Sequence, residues 1–242
     1  MLNQITPVAG LRKGGKTRTR LFNAALELFR RKGFDAATMR DIASESHLAL
    51  GAAYYYFPSK DAIVMDYYNS SILEHEKRVQ AGLAQATNLR ERLTLVMQTK
   101  LDLLREDRPL LQGLFRFAGS PHHPLSVFSS GTLEQRQKSI AIFRAVVDEE
   151  EHLPEDLREL LPPALWVLHL AILLYFVHDD SPGQERTRRL AEGAMALLAQ
   201  LVTVVSTPLL QPILKPVRGR VLDLLREAKL LPDGRPELRQ EG

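Results

Sequence analysis

The chain of 242 residues contains no cysteine. Disulfides and thiolate metal sites are therefore excluded, which fits a reducing compartment. The longest apolar run, residues 164–177, includes His169 and falls short of the ~20 residues needed to span a bilayer. The N-terminus lacks the apolar stretch of a signal peptide, so a cytoplasmic protein with no membrane partner is expected. No β-hairpin signature, alternating run or internal repeat is found. Nor is there a glycine-rich phosphate loop or a nucleophile elbow, which removes the sequence signs of nucleotide hydrolysis and of acyl transfer. His122 and His123 are adjacent in a proline-flanked loop, and His178, Asp179 and Asp180 cluster at a helix end. Neither spacing puts ligands on one helix face. The expectation is no catalytic residue, no metal, no cofactor and no enzyme.

What is present is the composition of an ordinary globular protein, 45% hydrophobic and 25% charged. The net charge is only +3, but it is unevenly placed. Residues 1–60 hold ten basic and four acidic groups, a net +6, and the remainder carries −3. The N-terminal end is thus the one suited to a polyanion, the alternative being a solvated basic tail.

Periodicity indicates an all-α chain. Residues 1–15 show none and contain Pro7 and three glycines, which suggests a disordered basic arm. Leu21, Ala25, Leu28 and Phe29 form one stripe of a helix over 17–32, with Gly33 as its stop. Thr38 and Asp41 form a capping-box-like start for a second helix. A short third helix covers about 50–56 and is ended by Pro58, and Ser59 caps the next. Longer amphipathic stretches follow at 90–106, 109–117, 125–150, 155–177 and 184–206. Pro208, Pro212 and Pro216 mark a linker before a short helix at 217–230. The expected organisation is an arm at 1–15, a three-helix DNA-binding domain at 16–62, a helical-bundle domain for ligand and dimerisation at 63–206, and a linker with a short helix at 207–242.

Residues 38–60 read TMRDIASESHLALGAAYYYFPSK. Two short helices with a tight connection form a helix-turn-helix, whose second helix can enter the DNA major groove. Ile42, Ala43 and Leu48 stand where the two helices should touch. Together with AALELFRRKGF at 24–34 and YYYFPSKDAI at 54–63, this segment resembles the TetR family of transcriptional regulators, with the match running from about residue 17 to 68. Two departures stand out. His47 occupies the turn where the family usually has glycine, and Ala49 and Leu50 replace a hydroxyl and a polar residue at the opening of the recognition helix.

The resemblance implies a homodimeric repressor on a palindromic double-stranded operator, released by a small, mostly apolar inducer. Arg40 would reach a base edge or a phosphate, unless it pairs with Asp41 or Glu45. Tyr54 and Tyr56 would give hydroxyls to phosphates and Tyr55 would face the groove, although Tyr56 can equally pack inside. Lys60 would meet a phosphate, and Thr38 would both cap and touch one. Leu50, Gly51 and Ala52 can offer apolar or backbone contacts. Arg12, Lys13, Lys16 and Arg18 would add non-specific phosphate attraction.

In such proteins the last two large helices of the body pair with their copies. That role falls to 163–177 and 185–203, where Leu190, Ala194, Leu197, Leu198 and Leu201 form a stripe beside Gly193. A pocket between the middle helices would draw on Phe115, Phe117, Phe128, Phe143, Trp166, His169 and Tyr175, each of which can equally be core. A DNA binder without an inducer, partner-regulated or activating, is the alternative. A small-molecule-binding helical protein or enzyme is a more distant one.

Overall fold

A computed structural model describes Ile5 and residues 13–120 and 122–227. The described residues form ten α-helices and no strand: α1 Lys13–Ala36, α2 Met39–Glu45, α3 Leu50–Tyr56, α4 Lys60–Leu83, α5 Leu89–Leu103, α6 Arg108–Phe115, α7 Leu133–Asp148, α8 Glu155–His178, α9 Glu185–Val205 and α10 Gln211–Glu227.

Helix α1 begins at Lys13, so the last three residues of the expected arm are helical. The rest of that arm lies outside the described residues apart from Ile5. The stop at Gly33 is real: its φ of 81° and ψ of 164° break the helix, a conformation that glycine adopts without a Cβ penalty. The apolar stripe of α1 is fully buried at Leu21, Phe22, Ala25 and Phe29. Each such large side chain contributes about 1.5–3 kcal/mol.

α2 and α3 sit against α1 and against each other. The long helix α4 then leads from this small unit into the body. There α4 packs on α5 and α7, α5 on α9, α7 on α8, and α6 between α1 and α8.

Three expectations are corrected. Residues 125–129 are not helical, Ser130–Thr132 form a single 3-10 turn, and α7 starts at Leu133. Ser126, Ser129 and Thr132 are buried there and bond locally, as in Thr132 Oγ1 to the Ser126 carbonyl at 2.6 Å. Such side chains offer the backbone partners other than a helix. Second, the linker with three prolines is short, because α10 begins at Gln211. Pro212 sits in its first turn, where the missing amide costs little. Buried Arg218 ties the helix to Asp156 at the start of α8 at 2.5 Å, and Arg226 binds Glu159 at 2.6 Å. Residues 228–230 of the expected last helix lie outside the described residues.

Third, α8 does contain an apolar window long enough by length and composition to cross a membrane, with mean hydropathy 2.1. The unbroken run at 164–177 understates it, because prolines at 162 and 163 and His169 do not interrupt the helix. More than half of that window (56%) is buried inside the molecule, and its inner face forms much of the body's core.

Candidate DNA interface and ligand cavity

The Thr38 side chain accepts from the Asp41 amide at 3.1 Å, and the Asp41 carboxylate accepts from the Thr38 amide at 2.9 Å. This is the expected capping box. Lys32 adds an ion pair at 2.8 Å. Hydrogen bonds from Lys32 and Thr38 hold the Asp41 carboxyl well below the usual carboxylate range. In the turn, His47 adopts φ 54°, the left-handed conformation that glycine would take without strain. α3 opens at Ala49 without a side-chain cap, as the missing hydroxyl implies. Ile42, Ala43 and Ala53 are buried at the contact of the two helices, and the small side chains of Ala43 and Ala53 let α3 lie close on α2.

This packing decides what faces outward. Tyr55 is 83% exposed, and Tyr54 is exposed as well. Tyr56 is partly buried against the core, with its ring edge-on to Tyr55 at 5.2 Å. Thr38, Arg40 and Gly51 are exposed, Leu50 and Ala52 half-buried. Arg40 does not pair with its acidic neighbours: Asp41 is engaged by Lys32, and Glu45 by Arg31 at 3.2 Å. Phe57 is core.

Two basic residues depart from expectation. Lys60, expected at a phosphate, donates its ammonium to the Phe34 carbonyl at 2.8 Å and lies over the Phe34 ring. Desolvation lowers its pKa. It ties the start of α4 to the end of α1. Arg18, expected to attract phosphates, forms an ion pair with Asp66 and lies over the Phe57 ring at 4.4 Å. Lys16 is exposed. Arg12 and the Lys13 side chain lie outside the described residues.

In the body, α4 to α8 enclose a cavity of about 110 Å³, partly open to solvent. Of the seven expected residues it is lined by Phe115, Trp166 and His169. The other four are elsewhere. Phe143 is core, its ring 5.7 Å from that of His169. Phe128 stands edge-on behind Trp166 at 5.7 Å. Phe117 stacks on His123 at 3.8 Å. Tyr175 points outward, beside exposed Leu174. Periodicity shows that a residue is apolar-facing, not which side of the core it meets.

Beyond His169, the sequence reading missed the polar side chains of this cavity. Lys100 is buried and donates to Ser71 Oγ at 3.0 Å. Tyr67, Gln135 and Arg136 also line it. Lys100 is legible only as one charge interrupting the apolar face of α5. Both ring nitrogens of His169 are buried without a partner. Burial pushes its pKa well down, and the charge of Lys100 adds to this.

One contact network joins cavity and DNA unit. Tyr67 of α4 lines the cavity and donates its hydroxyl to Asp107 at 2.9 Å. The same carboxylate receives Arg30 of α1 at 2.7 Å.

A second surface is apolar and open. On α8 it comprises Val167, Leu174 and Tyr175, and on α9 Leu190, Leu197, Leu201 and Val204. A Cβ added at Gly193 would meet nothing within 4 Å, so this face of α9 is free to be approached closely.

Known proteins share this arrangement. The sequence pattern of the "Bacterial regulatory proteins, tetR family" matches residues 21–66, and that of the "Tetracyclin repressor-like, C-terminal domain" matches residues 92–217. The uncharacterized HTH-type transcriptional regulator YuxN of Bacillus subtilis is 30% identical over 86 residues, 34% of this chain and 30% of that protein. The HTH-type transcriptional regulator UidR of Escherichia coli K12 is 37% identical over 65 residues, 27% of this chain and 31% of that protein. The chain thus spans about three tenths of the length of these relatives. The crystal structure of Thermus thermophilus FadR, a TetR family transcriptional repressor in complex with lauroyl-CoA, superposes with a TM-score of 0.57 at 21% identity, covering 76% of this chain and 93% of that one. The helix-turn-helix, the helical body and the two matched patterns place this chain in the tetR family of bacterial regulatory proteins, as a DNA-binding transcriptional regulator.

Proposed function

We propose that this regulator is a homodimeric repressor, released from a palindromic operator when a small, mostly apolar molecule enters the cavity of the body. The observation that carries this reading is the network of Tyr67, Asp107 and Arg30, in which a cavity-lining side chain and a side chain of α1 share one buried carboxylate. A ligand that displaces Tyr67 alters the support of α1, and with it the placing of α2 and α3. Its leverage is its difference in affinity between the DNA-binding and released states.

On DNA, α3 lies in the major groove. Tyr54 and Tyr55 are its exposed aromatics, Leu50, Gly51 and Ala52 its apolar and backbone contacts, and Arg40 and Thr38 approach from α2. Tyr56 and Lys60 act mainly by holding α3 and α4 in place. Two such units must sit ~34–36 Å apart to meet successive major grooves. The open apolar faces of α8 and α9 supply the dimer contact that spaces them. The test is a gel-shift assay on DNA flanking the protein's own gene, with and without small molecules. Retention of the shift by every compound that occupies the cavity would remove the inducer from the account.

A further inference from the structure

The cavity is apolar over most of its wall, through Leu104, Leu114, Leu170 and Leu173, yet it contains a buried ammonium. Lys100 makes one hydrogen bond, to Ser71, and an ammonium has three N–H donors. The opposite charge acting on it is Asp107, whose oxygens already accept from Arg30 and Tyr67. Burial lowers the Lys100 pKa to about 8, so the cation is kept at neutral pH. The titratable groups around it are His75, His169, Asp107 and Tyr67. Burial and the Lys100 charge keep both imidazoles neutral.

A neutral histidine holds one N–H donor, and neither ring nitrogen of His169 has a partner. Arg136 also lines the cavity; it donates to the Val127 and Ser129 carbonyls and forms no ion pair among the described residues. The cavity therefore presents unused donors and net positive charge inside an apolar shell. Such a group is costly to bury unless a partner completes it.

We propose that the cavity takes a small organic anion, a carboxylate on an apolar ring or short chain, with its oxygens held by Lys100 and His169 and its body against Trp166 and the leucines. The proposal rests on the cavity being the inducer site. A cation is refused by like charge. An alcohol can fill the space and accept one hydrogen bond, but it leaves the charge of Lys100 unanswered. At about 110 Å³ the space is smaller than the dry apolar cavity of about 150 Å³ that holds benzene, so the ligand is no larger than a single ring or short chain and extends toward the cavity's open side.

Trp166 is the only tryptophan of the chain and lines the cavity, so its fluorescence reports binding directly. The full-length protein is titrated at neutral pH with hexanoate and benzoate, and with hexan-1-ol, benzyl alcohol and hexylammonium. Each acid is expected to bind about tenfold more tightly than its alcohol, the value of one charge-assisted contact, and hexylammonium is expected not to compete. Lys100→Met keeps the length and removes the charge; it should abolish the preference for the acid and retain binding of the alcohol. Far-UV circular dichroism confirms that this variant is folded, and Ser71→Ala offers a milder change that should weaken acid binding alone. Equal binding of acid and alcohol, no response of Trp166 to any acid, or an unchanged preference in Lys100→Met would overturn the proposal. Operator release is measured in parallel. Acids that bind but leave DNA bound would end the inducer reading and keep the anion site. Release by a neutral compound in the cavity, with no acid binding, would do the reverse.

Discussion

Arg30 Nε donates to Asp107 Oδ1 at 2.7 Å, across 77 residues of chain, and the carboxylate is fully buried. Burial pushes the Asp107 carboxyl upward, while Arg30 and the Tyr67 hydroxyl hold its charge. It is a charged contact between the first helix of the DNA unit and the body in which the carboxylate is buried and the guanidinium partly so. Removing one partner of a buried pair costs about 3–5 kcal/mol, whereas replacing both with apolar groups is often neutral. Arg30→Met should therefore lower the unfolding free energy in urea by that amount, and Arg30→Met with Asp107→Leu should recover most of it. If the double variant is as unstable as the single, the pair does not act as a unit.

Stability should fall in acid through two imidazoles. His75 Nε2 lies 2.9 Å from the Val96 carbonyl. Burial, helped by the charge of Lys100, lowers its pKa from 6.5 to about 3, and His169 is lowered for the same reasons. Between those values the unfolded chain binds protons that the folded chain refuses, so stability is lost as pH falls below 6.5, by about 1.4 kcal/mol per pH unit for each ring. His75→Gln should reduce the slope of urea stability against pH between 6 and 4 by nearly one proton. An unchanged slope would mean that His75 is not buried neutral.

His47 carries a side chain at φ 54°. His47→Gly removes that strain but adds freedom to the unfolded chain, so the net effect is expected to be a gain of up to about 1 kcal/mol in thermal stability. A clear loss would show that the imidazole makes a contact of its own in the turn.

Lys60 and Tyr55 should differ on DNA. Lys60 is bound to the Phe34 carbonyl, so Lys60→Ala should destabilise the unit and leave the dependence of log affinity on log salt unchanged. A slope lowered by about one unit would return Lys60 to a phosphate. Tyr55 is exposed on α3. Tyr55→Ala should change the ranking of operator variants, and a uniform loss across all sequences would argue against base readout there.

Leu197 and Leu201 are 68% and 59% exposed on α9. Leu197→Glu should convert a dimer to a monomer by light scattering, with helical content retained and operator affinity sharply reduced. A dimer that survives this charge would move the interface elsewhere, with the exposed stripe of Ile213, Val217 and Leu224 on α10 as the next surface to test.

Much of this was legible in the sequence because it is local. The Thr38 and Asp41 capping box and the break at Gly33 depend on a few neighbouring residues and their backbone preferences, whereas the uncapped start of α3 and the turn at His47 are marked by their departure from the TetR pattern. Three consecutive tyrosines on a helix must face different ways, so spacing shows that they cannot all be buried; that Tyr55 faces outward is implied by the TetR resemblance, and only packing decided the partial burial of Tyr56.

Other assignments needed contacts distant in sequence. Whether Lys60 and Arg18 point to solvent or to α1, Asp66 and Phe57 is decided by what the fold brings beside them. Trp166, Phe143 and Tyr175 look alike as aromatics on helices, yet one lines the cavity, one fills the core and one lies outside. The sequence by itself determined the all-α class, the first three helices with the Thr38 cap, and the helix-turn-helix, because these come from short-range hydrogen bonding and periodicity. Only the tertiary structure decided which buried polar groups share the cavity, because Lys100, His169 and Tyr67 come from three helices and meet through packing that no local pattern records.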